Sequence, residues 1–223
     1  MAISDSLQAT ENRIAAASAA AGREPGAVRL LAVSKTFPAA AVREACAAGA
    51  HAFGENYVQE GLAKIEALID LRGSLEWHLI GPLQSNKTRL VAERFDWVQS
   101  LDRLKIAQRL SEQRPPGLAP LNVCLQVNIS GEASKSGLAP AEVLPLARQV
   151  AALPRLALRG LMAIPEPGAA AGYREMAALF AELRAAVPGV DTLSLGMSAD
   201  LETAIAAGAT MVRVGSALFG SRA

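Results

Sequence analysis

The stretch Val28-Arg29-Leu30-Leu31-Ala32-Val33-Ser34-Lys35-Thr36 reads as a short buried strand that delivers a lysine to its end. Leu30 to Val33 is apolar without alternation, the pattern of a strand covered on both faces, and such strands belong to parallel sheets wrapped by helices. Similar runs recur at Ala50 to Gly54, Glu76 to Ile80, Trp97 to Ser100, Leu121 to Ile129, Ala157 to Ala163, Thr192 to Leu195 and Met211 to Val214. Between them the apolar residues keep helical spacing. Val58, Leu62, Ile65 and Ile69 form one stripe, Val143, Leu146, Ala147 and Val150 a second, and Met176, Leu179, Phe180, Leu183 and Val187 a third.

Eight such units predict an α/β fold, a single (β/α)8 TIM barrel spanning residues 1–223, with an open doubly wound sheet as the competing architecture. Residues 4 to 21 predict an extra N-terminal helix on the outside or bottom of the barrel. Ala47-Ala48-Gly49-Ala50 and Ala206-Ala207-Gly208-Ala209 each place a glycine where a helix end calls for positive φ. Pro115-Pro116-Gly117 and Pro165-Glu166-Pro167-Gly168 read as loops, because the strand and helix patterns resume beyond both.

Composition narrows the function. Lysine and arginine total 22 against 21 acidic residues, so the net charge of +1 offers no field that would gather nucleic acid or an anionic membrane. An anionic ligand has to be caught locally. No run approaches the roughly 20 apolar residues of a membrane span, and the N-terminus lacks a signal-like apolar core, so a cytoplasmic protein is expected. Cys46, Cys124, His51 and His78 show no metal-ligand spacing, and neither a metal site nor a disulfide is expected.

In a parallel barrel the C-terminal strand ends converge on one face, where the chemistry collects. Lys35 follows an apolar strand, so partial desolvation should favour its neutral amine, the form that attacks a carbonyl. A lysine snorkelling to water is the plainer reading of Lys35 by itself; the other strand ends favour a reactive amine. Ser198, after Ser194-Leu195-Gly196-Met197, can cap the next helix or offer its hydroxyl and nearby N–H groups to a phosphate. Gly215-Ser216 can form a tight turn or join that phosphate site, since the loops after strands seven and eight are the usual barrel phosphate site.

Arg213 lies inside an apolar strand and needs a partner. That partner is either a carboxylate such as Glu55 or Asp200, or a ligand ring nitrogen that a permanent cation would keep unprotonated. Asn56 either caps a helix or contacts a ligand. His78 reads as a satisfied core histidine, Lys87 in the mobile-looking Ser85-Asn86-Lys87 as solvated, and Met162 as packing around whatever fills the mouth.

From about Leu30 to Gly220 the chain resembles the pyridoxal phosphate homeostasis proteins, which are similar to the barrel domain of bacterial alanine racemase. The segments that carry the resemblance are Ala32-Val33-Ser34-Lys35-Thr36, Phe53-Gly54-Glu55-Asn56-Tyr57-Val58-Gln59-Glu60, Trp77 through Lys87, Ser134-Lys135-Ser136-Gly137, Leu161-Met162-Ala163-Ile164-Pro165, Leu193 through Ser198 and Val212-Arg213-Val214-Gly215. The resemblance implies pyridoxal 5′-phosphate as cofactor, held as an aldimine on Lys35, with Ser198, Gly215 and Ser216 on the phosphate and Arg213 at the pyridine nitrogen. Asn56, Met162 and Ser194 complete the set expected to bind the cofactor.

It further implies a carrier in intracellular cofactor homeostasis, without established turnover, whose partners are the cofactor and apo enzymes that use it. Racemisation needs proton donors on both faces of the cofactor adduct. In the related racemases a tyrosine of a second domain serves the second face. Here Tyr57 and Tyr173 fall in helical stretches and the given sequence ends at Ala223, so a non-enzymatic monomer is expected. A weak racemase-like enzyme and a cofactor-free barrel aldolase are the alternatives.

Overall fold

The computed structural model describes residues 2–131, 136–165 and 170–220. Ser134 and Lys135 of one family-like segment, Glu166 to Gly168 of a predicted loop, and Ala223 lie outside the described residues.

Eight parallel strands close a barrel in sequence order. They are β1 (Arg29–Val33), β2 (Ala52–Glu55), β3 (Glu76–Leu79), β4 (Trp97–Leu101), β5 (Leu121–Val127), β6 (Leu156–Ala163), β7 (Thr192–Ser194) and β8 (Met211–Val214). Leu30 pairs with Val212 and Ala32 with Val214, which joins the last strand to the first and excludes the open sheet. The helices are α1 (Ile3–Ala20), α2 (Ala39–Ala47), α3 (Val58–Ala67), α4 (Thr88–Arg94), α5 (Leu104–Gln113), α6 (Pro140–Ala151), α7 (Ala170–Ala186), α8 (Leu201–Ala206) and the short α9 (Ser216–Phe219). None of the described helices is long and apolar enough to cross a membrane.

Strand parity sorts the core. Ala32, Phe53, Trp77, Val98, Val123, Leu161 and Val212 are buried in one large cluster with the inner faces of the helices. Their neighbours on the opposite face, Leu31, Ala52 and Met211, and separately Trp97, Cys124 and Met162, form small clusters that fill the lumen. The predicted stripes of α6 and α7 are buried as expected. Ile69 is not: α3 stops at Ala67, Ile69–Leu71 forms a single 3-10 turn, and the changed winding buries Leu68 while leaving Ile69 63% exposed.

The two similar helix ends fold alike. After α2, Ala50 N–H donates to Ala45 O and Gly49 N–H to Cys46 O. After α8, Ala209 N–H donates to Ala204 O and Gly208 N–H to Ile205 O. Both are Schellman closures, and the glycines take φ of 111° and 103°. The first closure occupies Ala50, which is why β2 begins at Ala52 rather than at Ala50. β5 ends two residues earlier than Ile129, where the chain turns and Asn128 N–H reaches Leu138 O. Helix α1 lies on the outside, packed on α2, α8 and α9, with Arg13 donating to Glu202 and to Ser198 O.

Candidate functional site

The inward parity of Leu31 and Val33 on β1 continues to Lys35, which is half-buried on the wall of a cavity of about 560 Å3 at the C-terminal mouth of the barrel. Lys35, Asn56, Met162, Ser198, Arg213, Gly215 and Ser216 all line this cavity. Of the expected set, Ser194 alone does not. It is fully buried one layer down, behind Arg213.

The backbone on both sides of Lys35 is held by a buried ionic cluster. Ser34 points outward, and its hydroxyl donates to Glu55 Oε1 at 2.5 Å. Lys64 on α3 donates to Ser34 O at 2.6 Å, to Glu55 Oε1 at 2.7 Å and to Glu60 Oε1 at 2.8 Å. Glu60 in turn accepts the N–H of Thr36. Thr36 sits at φ 69°, left-handed backbone that a β-branched residue adopts only under strain. Burial pushes the Glu55 carboxyl above its ordinary pKa, against the pull of Lys64 and Ser34.

Arg213 is buried at the floor of the cavity. Its Nη1 donates to Ser194 O at 2.7 Å and Ser194 Oγ at 2.8 Å, and its Nη2 to Ala163 O at 2.8 Å. The partner is therefore neither carboxylate that the sequence suggested. Glu55 is engaged with Lys64, and Asp200 acts on the guanidinium only as a nearby charge. Burial lowers the Arg213 pKa to about 10, which leaves it cationic at neutral pH.

Two strands along the barrel rim from Lys35, Ser198 stands before the N-cap position of α8, which Asp200 occupies, so Ser198 is not the cap. The Asp200 carboxylate instead accepts the N–H of Met197 and the hydroxyl of the buried Tyr173, and with Arg13 on Ser198 O it shapes this loop. Asn56 is not a cap either, since Tyr57 precedes α3 in that position. Gly81 packs onto Asn56 so closely that a Cβ would lie 2.1 Å from Asn56 O. Tyr57 is exposed, just outside the helix rather than in it. Ser85–Lys87 forms one 3-10 turn leading into α4, with Lys87 half-buried. His78 is buried and doubly hydrogen-bonded, as expected.

Sequence reasoning missed Gln126 on the cavity wall, Lys64 and Glu60 beneath Lys35, and Gln99 beneath Arg213. A polar residue inside an apolar strand marks Gln99, as it did Arg213.

A family model described as "Alanine racemase, N-terminal domain" matches residues 6–223. The chain is 62% identical to a Pseudomonas aeruginosa protein described as "Pyridoxal phosphate homeostasis protein", over 99% of this chain and 96% of that one. PipY of Synechococcus elongatus PCC7942, solved with PLP bound, superposes at TM-score 0.78 with 41% identity, covering 93% of this chain and all of PipY. Alanine racemase of Corynebacterium glutamicum, at 19% identity and TM-score 0.68, covers 96% of this chain with 61% of its own and shares the fold. With matches of this depth along nearly its whole length, the chain belongs to the pyridoxal phosphate homeostasis protein family, built on the alanine racemase N-terminal barrel.

Proposed function

We propose that this protein binds pyridoxal 5′-phosphate in the barrel mouth as a Schiff base on Lys35, and stores and hands on the cofactor in the cytoplasm rather than turning over a substrate. The observation that carries the reading is one cavity lined by Lys35 after β1, by Gly215 and Ser216 after the adjacent β8, by Ser198 after β7, and by Arg213 at its floor. Lys35 would condense with the aldehyde and release water. Ser198 and Ser216 would offer hydroxyls to the phosphate, with Asn56 and Met162 against the ring and Ser194 behind Arg213.

The donor set fits such a ligand. The Arg213 Nε–H and second Nη2–H have no partner among the described residues, and a cationic donor suits an unprotonated pyridine nitrogen. Gly215 keeps the wall open, since a Cβ there would lie 3.1 Å from Val33 O. The bound cofactor would supply an electrophilic aldehyde and a conjugated ring.

Two features favour storage over racemisation. A cation at the ring nitrogen weakens the ring as an electron sink. Neither tyrosine lines the cavity: Tyr57 is exposed, and the Tyr173 hydroxyl is spent on Asp200, its pKa pushed up by burial and by that carboxylate. Recipients would be apo enzymes that use the cofactor, and the carrier would act as a monomer.

Borohydride reduction of the loaded protein followed by peptide mass spectrometry tests the reading. One pyridoxyl adduct on Lys35, lost in Lys35→Ala, is expected. An adduct that persists on another lysine in that variant removes the assignment.

A further inference from the structure

A file of polar side chains crosses the otherwise apolar lumen below the cavity. Arg213 Nη1 is 2.8 Å from Ser194 Oγ, Ser194 Oγ is 2.6 Å from Gln99 Oε1, Gln99 Nε2 is 2.9 Å from His78 Nδ1, and His78 Nε2 is 2.8 Å from Glu76 Oε1. Arg213, Ser194, Gln99 and His78 are buried and Glu76 is half-buried, and the file runs from β8 through β7 and β4 to β3. His78 also stacks on Trp97, with ring centroids 4.9 Å apart.

Its proton arrangement has one solution. A guanidinium only donates, so Ser194 Oγ accepts from Arg213 and gives its single proton to Gln99 Oε1. The Gln99 amide must then donate to His78 Nδ1, which leaves the ring proton on Nε2, facing the Glu76 carboxylate. Turning Gln99 over would point two donors at Ser194 and strand the hydroxyl proton. It would also force the bare Nε2 lone pair against Glu76.

We propose that Gln99 and His78 are positioning residues for Arg213, a one-way hydrogen-bond chain that locks the guanidinium with its remaining N–H groups toward the cavity and so selects a ligand ring bearing a bare nitrogen. This rests on the reading that Arg213 meets the pyridine nitrogen. Gln99 and His78 touch no ligand; they act through Ser194 and the guanidinium.

Two measurements test it. In 15N-labelled ligand-free protein, His78 is expected as the neutral Nε2–H tautomer with an unprotonated Nδ1; an Nδ1–H ring at neutral pH overturns the chain. Affinity is then compared for pyridoxal 5′-phosphate and its 1-deaza analogue, in which C–H replaces the ring nitrogen. The native protein should prefer the former by on the order of tenfold, the worth of a hydrogen bond to a charged group. Gln99→Leu, and the milder Ser194→Ala should the first not fold, are expected to erase that preference while the analogue still binds.

Variants that keep the preference overturn the proposal and leave the reading of Arg213 intact. Variants that weaken both ligands equally assign Gln99 a packing role and also overturn it. No preference in the native protein overturns the proposal together with the reading of Arg213.

Discussion

Lys64 Nζ lies 2.6 Å from the backbone oxygen of Ser34, so an ammonium on α3 grips the chain just past the end of β1, at the residue before Lys35. That contact makes Lys64 part of the support of the site although it lies on the far side of the strand from the cavity.

Removing this ammonium strands the fully buried Glu55 and its neighbour Glu60. Lys64→Met should destabilise the fold by about 3–5 kcal/mol, the usual effect of leaving a buried charge without its partner. Urea unfolding checks it; a loss under about 1 kcal/mol would mean that the cluster behaves as a surface pair.

Thr36 bears backbone strain beside the amine proposed to hold the cofactor. Non-glycine residues held in this region cost of order 1–3 kcal/mol, so Thr36→Gly is expected to raise stability by about 1 kcal/mol. The same change should loosen Lys35 and slow cofactor attachment, followed as the growth of its absorbance band. A variant both less stable and equally fast contradicts the strain argument.

His78 folds with a neutral ring, because burial holds its pKa below the ordinary value despite the pull of Glu76. Below the unfolded value of about 6.5 the unfolded chain takes up a proton that the folded chain does not, so this contribution is complete above that pH and is lost as pH falls further. Burial would raise the Glu76 pKa, yet the hydrogen bond from His78, the charge that ring carries once protonated, and the charge of Arg29 outweigh it and bring it to about 2. Its contribution therefore holds above the unfolded carboxylate range near 4.3 and fades as pH falls toward about 2. Melting temperature should drop between about pH 7 and pH 5.5 in the native protein, and less so in His78→Gln. Equal slopes in the two proteins count against a neutral buried His78.

Ser198 is held at the mouth by its backbone contact with Arg13. Replacing it with aspartate puts a carboxylate where the phosphate is proposed to dock, and should weaken pyridoxal 5′-phosphate binding about tenfold or more. Titration by cofactor absorbance reads this out. Affinity equal to that of the native protein would mean that the phosphate docks elsewhere.

The barrel was legible because burial on both strand faces writes continuous apolar runs, and each of the eight expected strands overlaps an observed one. Lys35, Arg213 and the loops after β7 and β8 stood out because polar residues ending or interrupting such runs need a local reason. The support behind them was not legible. Lys64 reaches Ser34 across 30 positions, and nothing in Val58 to Ala67 distinguishes a buried lysine from a solvated one. The resemblance puts Ser194 among the cofactor contacts; only the packed lumen shows that the Arg213 guanidinium covers it. Ile69 failed for a simpler reason: helical spacing continues past the residue where the helix stops.

The seam between β1 and β8 has a consequence for biosynthesis. Lys35 follows the first strand of the barrel and Ser198 and Ser216 follow the last two, so they meet only when Ala32 zips to Val214 and Gly215 settles beside Val33 O. A ribosome must therefore have delivered β8 before the proposed cofactor site exists, and a half-made barrel has no such site. Any ligand that recognises the zipped form alone then adds RT ln(1 + [L]/Kd) to the stability of the seam, so cofactor supply itself would protect the newly made protein from degradation.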